Sequence, residues 1–255
     1  MAFSTEQSTE LHGSIQPKIP VTANNSGWLH AFTEIWQGKG RTLKHNPEHW
    51  RKVATTGVLI WLAVFVLSLY AQSLNEGIRA ENMVLMQVSM SSADREELVV
   101  RGLHPTEFAM TAALQTGIAR GVLKLLSQSL LFWGCFALIG GGVNFRSTTG
   151  TVGAGMIISA SGLAISTLTQ ILGGGLRYAP NLGIIVNPQD RPWIFSFLAN
   201  LGIFTAWEYV ALGMALAYIA HYRPKVGVIV GVFAYVTYLA YTGLAAWLGN
   251  VMAGR

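Results

Sequence analysis

Charge is scarce in this sequence. Of its 255 residues, 11% are Asp, Glu, Lys or Arg while 51% are hydrophobic. Ordinary soluble domains carry roughly 25% charged residues, and a water-facing surface on a chain of this size needs about that many. Soluble globular and wholly disordered readings are therefore excluded. The net charge of +5 does not make a nucleic-acid binder, because such a footprint needs cations dense on one face. Cysteine is rarer still: with Cys135 alone, neither an intrachain disulfide nor a Cys-rich zinc site can form.

Catalytic signatures are missing as well. The chain holds no G-x-x-x-x-G-K-[ST] and no G-x-S-x-G, and Gly153-Ala154-Gly155 is followed by Ile158 where a dinucleotide loop needs its third glycine. His45-Asn46-Pro47-Glu48-His49 spells the H-x-x-E-H of inverted zinc proteases. That chemistry needs both imidazoles on one helical face, and Pro47 suits only a first helical position, which leaves His45 outside the helix. The reading preferred is Asn46 as N-cap of the helix entering the first span. No catalytic residue, metal or cofactor is nominated, and a non-enzymatic protein is expected.

Present instead are long uncharged runs. A bilayer crossing takes about 20 mainly apolar residues, and five windows qualify: 53–71, 121–143, 151–172, 197–220 and 226–248. The expected fold is all-α, a polytopic integral membrane protein with five transmembrane helices in one bundle (residues 53–249). Its third span is the most polar, with Ser159, Ser161, Thr167, Thr169 and Gln170.

Cations set the expected orientation. Lys18, Lys39, Arg41, Lys44, Arg51, Lys52, Arg146, Arg223 and Lys225 share one side, against Arg79, Arg95, Arg101, Arg120, Arg177, Arg191 and Arg255 on the other. The bias is sharp beside the first span. It predicts a cytoplasmic N-terminus and an extracytoplasmic C-terminus, in a bacterial plasma membrane. The start lacks the basic and apolar regions of a cleavable signal, and the polar residues 1–27 are expected to be a disordered cytoplasmic tail.

Residues 28–52 form a juxtamembrane segment in which Trp28, Ala31, Phe32, Ile35 and Trp36 recur at helical spacing. Two readings stand: an amphipathic helix lying in the lipid interface with Lys39, Arg41 and Lys44 near headgroups, or aromatics packed beneath the bundle. The loop 72–117 is the one sizeable soluble piece. Within it Ser91 and Asp94 suggest a helix start, and Met83, Val84, Met86, Val88 and Met90 are apolar enough to rest on the membrane surface or cap the bundle.

Polar groups inside a membrane are costly and so informative. Glu208 lies about halfway along the fourth window, and Arg120, Lys124 and Gln128 recur every four residues at the outer end of the second. If those spans touch, Lys124 can reach Glu208. The carboxylate then either couples protons or ions, or orders the bundle as a buried pair. Gly117/Gly121 and Gly227/Gly231 are G-x-x-x-G pairs, which serve packing within a bundle or a dimer seam. His221, at a span end, is read as facing headgroups.

The juxtamembrane FTEIWQGKG and NPEHW, the acidic loop with SSADREEL, the Gly/Ser-rich third span and TAWEYVALGMALAYIAHYRPK together resemble the Yip1 family (the Yip1/YIPF domain) over residues 28–250. The resemblance implies a cytoplasmic N-terminal segment, five closely spaced helices and a short extracytoplasmic C-terminus. Eukaryotic members are linked to Rab-type small GTPases and vesicle traffic. This chain lacks their D-L-x-G-P motif and is more similar to the prokaryotic branch, so a small-GTPase partner does not carry over. The expected function is that of a scaffold, assembly or trafficking factor. It would organise membrane-protein partners, a homo-oligomer or the lipid bilayer, with Trp28, Phe32, Trp36, Lys39, Arg41 and Lys44 as its contact surface. The alternative is a small-solute or ion transporter, or its accessory subunit, using Glu208 and Lys124.

Overall fold

The computed structural model describes residues 27–89, 105–187 and 192–252. The expected tail and the Ser91–Asp94 helix start lie outside these. Among the described residues the chain is helical without a β-strand: α1 His30–Trp36, α2 Arg41–His45, α3 Trp50–Ser73, α4 Glu76–Ser89, α5 Pro105–Leu138, α6 Phe145–Gly173, α7 Pro192–Ala199, α8 Ile203–Ile219 and α9 Pro224–Met252. Four helical stretches there are long and apolar enough to cross a membrane, namely Trp50–Ser73, Gly117–Leu138, Phe145–Gly173 and Pro224–Ala245. This is an integral membrane protein.

Of these four stretches the Ser- and Thr-rich one, α6, is the most enclosed. α6 packs against α1, α3, α5 and α8. Its Ser159 is met by Lys124, and the buried Thr167 hydroxyl has no partner among the described residues. Most of its hydroxyls turn back on the helix itself: Thr148, Thr149, Thr151 and Ser161 each donate to the carbonyl four residues earlier. A Ser or Thr bonded this way presents mainly its methyl and methylene surface outward. Small side chains then admit neighbours closely. A Cβ on Gly57 of α3 would fall on the Gly153 carbonyl of α6, so the two backbones touch there. Near their other ends Gln72 Nε2 donates to Gln170 Oε1 at 2.8 Å, so α3 and α6 run parallel.

α8 and α9 form the second close pair, antiparallel. Cβ atoms on Gly227 and Gly231 would sit 2.6 Å from the carbonyl oxygens of Gly213 and Tyr209. Gly117 and Gly121 meet Phe65 and Trp61 of α3, whose rings stack 5.3 Å apart. Both G-x-x-x-G pairs are thus used inside the chain, Gly227/Gly231 for close backbone approach and Gly117/Gly121 to admit the two rings.

Several expected boundaries move. The second window ends at Leu138 rather than 143, because Gly140 takes φ +77 and Gly141 N–H closes back on the Phe136 carbonyl at 2.7 Å. A single helix over 197–220 does not form. It is divided into α7 and α8 by extended backbone at Gly202, which bridges to Asn181. The remaining α8 has 17 residues, about 25 Å of helix against a hydrocarbon core of about 30 Å. Residues 72–117 are not a plain loop either, since α4 and the start of α5 occupy much of them. On α4, Ile78 is buried with Leu176 and Phe195, so this helix caps the protein through a residue outside the Met83–Met90 cluster. Side-chain positions in that cluster lie outside the described residues.

Asn46 is not an N-cap. It ends α2, donates its amide to the Thr42 carbonyl at 3.4 Å, and is followed by a 3-10 turn, Pro47–His49, before α3 begins. The rigid φ of Pro47 opens that tighter turn instead of the long helix. His45 and His49 therefore stand on different elements.

Candidate functional site

Glu208 projects from α8 into the interior and is fully buried. Lys124 arrives from α5, where positions 124 and 128 share a face toward α8. The Lys124 ammonium donates to Glu208 Oε2 at 2.9 Å, with side-chain exposures of 23% and 0%. It also donates to the Ser159 hydroxyl of α6. Three helices are therefore tied at one nitrogen. Glu208 Oε1 has no hydrogen-bond partner among the described residues, and neither has the buried Gln128 Oε1.

Gln128 lies one turn on from Lys124, with its side chain against the Tyr209 hydroxyl. Tyr209 is the largest fully buried side chain among the described residues, ringed by Phe132, Tyr235 and Tyr238 at centroid distances of 5.8, 5.7 and 5.5 Å. The Tyr238 hydroxyl continues the polar line to Asn200 Oδ1 at 2.8 Å, beside the break between α7 and α8. These tyrosines and Asn200 were not singled out in the sequence, where they read as ordinary apolar-helix residues. Their signal was the recurrence of tyrosine in α8 and α9, each with a hydroxyl needing a partner when buried. Arg120, one turn before Lys124 on the same α5 face, is exposed and stays outside this interior.

Chemically, a lysine beside a serine hydroxyl suggests a Ser-Lys nucleophile, which needs the amine neutral to act as base. Here the lysine nitrogen donates both to Glu208 Oε2, at 2.9 Å, and to the Ser159 hydroxyl. The arrangement clamps three helices together. It also leaves one carboxylate oxygen free to accept a proton or another donor.

The juxtamembrane segment is placed between the two readings given above. Ala31, Ile35 and Leu43 are buried in the main core, and Trp28 and Phe32 pack partly against it. The apolar face of α1 is spent on protein, on α6 and α8, so the helix does not rest that face in lipid. Gly38 makes the following turn with φ +68, and its Cβ position is filled by Met214. Trp36, Lys39 and Arg41 remain exposed.

Lys44 is not free for headgroups. Its ammonium lies 3.5 Å from the Tyr218 carbonyl, 3.2 Å from His221 Nδ1 and 4.8 Å from the Tyr218 ring centroid. It therefore sits on the C-terminus of α8, where the helix dipole favours a cation. His221 is the left-handed residue (φ 61) closing that helix, with His221 N–H on the Tyr218 carbonyl and Tyr222 N–H on that of Ala217, a Schellman closure usually made by glycine. The expected headgroup-facing His221 is thus a helix terminator that holds Lys44.

Comparison of the chain with family models, curated proteins and solved structures gives no match.

Proposed function

We propose that the protein is a non-enzymatic membrane organiser of the Yip1 type, a five-crossing bundle that acts through contacts with partner membrane proteins or further copies of itself. In this reading α7 and α8 together make the fourth crossing. The N-terminus is cytoplasmic, the C-terminus extracytoplasmic, and the membrane a bacterial plasma membrane. Alternation of direction supports the count: α3 and α6 are parallel, while α8 runs against both α6 and α9. The observation that carries the function is the division of labour at the juxtamembrane segment. Ala31, Ile35 and Leu43 anchor it in the core while Trp36, Lys39 and Arg41 face outward. A rigidly mounted aromatic-basic edge is suited to holding partners.

Deleting the segment would remove core residues, so the test is made on its outer face. Partners cross-linked in cells to wild type should be lost from Trp36→Ala/Lys39→Glu/Arg41→Glu, whose melting temperature should match wild type. Unchanged cross-linking would count against this surface. The crossings are tested by thiol labelling after Cys135→Ser: cysteines at 41 and 223 should react from the cytoplasmic side and one at 177 from the other.

The second reading, a proton- or ion-coupled transporter or accessory subunit, is favoured by the unpartnered Glu208 Oε1. It requires flux in proteoliposomes that Glu208→Gln abolishes while folding is kept. Wild type without flux would remove it.

A further inference from the structure

An open groove of about 240 Å³ runs between α1 and α6, lined by Phe32, Thr33, Trp36, Gln37 and Ile157. Ile157 lies twelve residues into α6, about 18 Å along it. The groove therefore opens beside a helix long and apolar enough to cross a membrane. Its walls are two aromatic rings and a branched aliphatic chain, and its volume is below the roughly 300–1,000 Å³ of a compact small-molecule site. Such a slot fits a flexible alkyl chain.

The rim has a different chemistry. Lys39 Nζ donates to Gln37 Oε1 at 3.0 Å, which places an ammonium at the lip of the groove. Arg41 opens α2 two residues further on and is exposed. Glu34, the acid of α1, accepts from the Thr42 N–H at 2.8 Å, so that oxygen does not oppose an anion at the rim. Lysine and arginine stems are long enough to carry their charge from apolar walls to the headgroup layer.

We infer that this groove holds one acyl chain of an anionic phospholipid whose phosphate is gripped by Lys39 and Arg41. The inference rests on the reading of this chain as a membrane-crossing bundle with an outward-facing edge at Trp36, Lys39 and Arg41, and names a lipid as a partner of that edge. Each cation near an anionic headgroup contributes about 1 kcal/mol, so removing both should weaken binding about 30-fold.

The test is native mass spectrometry of the full-length protein purified in mild detergent. It is titrated with phosphatidylglycerol and phosphatidylcholine of identical chains, with glycerol phosphate as a chainless competitor. Wild type should take one phosphatidylglycerol in preference to phosphatidylcholine. Lys39→Gln/Arg41→Gln should lose about 30-fold for phosphatidylglycerol alone. Thr33→Phe and Thr33→Leu, which fill the groove from its exposed side, should weaken both lipids, and Arg177→Gln, beyond the other end of α6, should change neither. The proposal is overturned if the charge variant binds phosphatidylglycerol like wild type, if filling the groove leaves both lipids unaffected, or if glycerol phosphate competes as well as the lipid. No protein partner is present in this experiment, so its failure and a failure of the cross-linking test are separate results.

Discussion

Removing the positive partner of the buried pair should cost far more than removing the pair. At 2.9 Å and an effective dielectric of about 20, the attraction between Lys124 and Glu208 is about 6 kcal/mol. Desolvating two ions costs several kcal/mol each, so the intact pair nets little. Lys124→Met leaves Glu208, at 0% exposure, as an uncompensated buried carboxylate and should destabilise by about 3–5 kcal/mol. Ser159 also loses its donor, but its hydroxyl can turn to the carbonyl four residues earlier as its neighbours do. Glu208→Leu alone should cost less, because the partly exposed lysine can extend toward the membrane surface. Lys124→Met/Glu208→Leu should return to within about 1–2 kcal/mol of wild type. The assay is equilibrium unfolding of the detergent-purified protein followed by tryptophan fluorescence, arranged as a double-mutant cycle. A Lys124→Met variant within about 1 kcal/mol of wild type, or a double variant losing the sum of the single losses, would refute the reasoning.

Ile35→Ala tests where α1 lies: a buried isoleucine should cost about 2–5 kcal/mol in the same unfolding assay, whereas an interfacial helix would barely register the change. Trp36→Ala, on the exposed side of α1, should stay within about 0.5 kcal/mol. Gly57→Val drives a side chain into the Gly153 carbonyl and should separate α3 from α6, destabilising by at least about 1–3 kcal/mol; Gly134→Val, with nothing within 4 Å of its Cβ position, is the control. Gly38→Ala meets both a positive φ and Met214 and should lower the melting temperature, which differential scanning fluorimetry would register.

Hydropathy made the membrane class legible, because a run of about 20 residues without charge has few other uses. It placed α3 and α9 to within four residues at each end, but began α6 six residues late. The single helix expected over 197–220 is two because the uncharged run continues through Asn200–Gly202 while the helical backbone does not. A sliding reading sees side chains, whereas the break depends on a bridge between Gly202 and Asn181, far apart in the chain. The Lys124–Glu208 contact was legible as a possibility, since each residue was anomalous in its own window. Tyr209, Tyr238 and Asn200 were not, because a tyrosine in an apolar helix looks alike whether it faces lipid or core.

What the sequence alone determined was therefore composition-level: a helical membrane protein whose intramembrane charges are few enough to name. Only the tertiary structure decided which polar groups are interior. The Thr- and Ser-rich α6 became the hub, since most of its hydroxyls bond back to their own helix and its glycines admit α3. Likewise the apolar face of α1 went to protein rather than lipid. Periodicity reports that a face is apolar, but lipid and core are equally apolar, and only contact between distant segments distinguishes them.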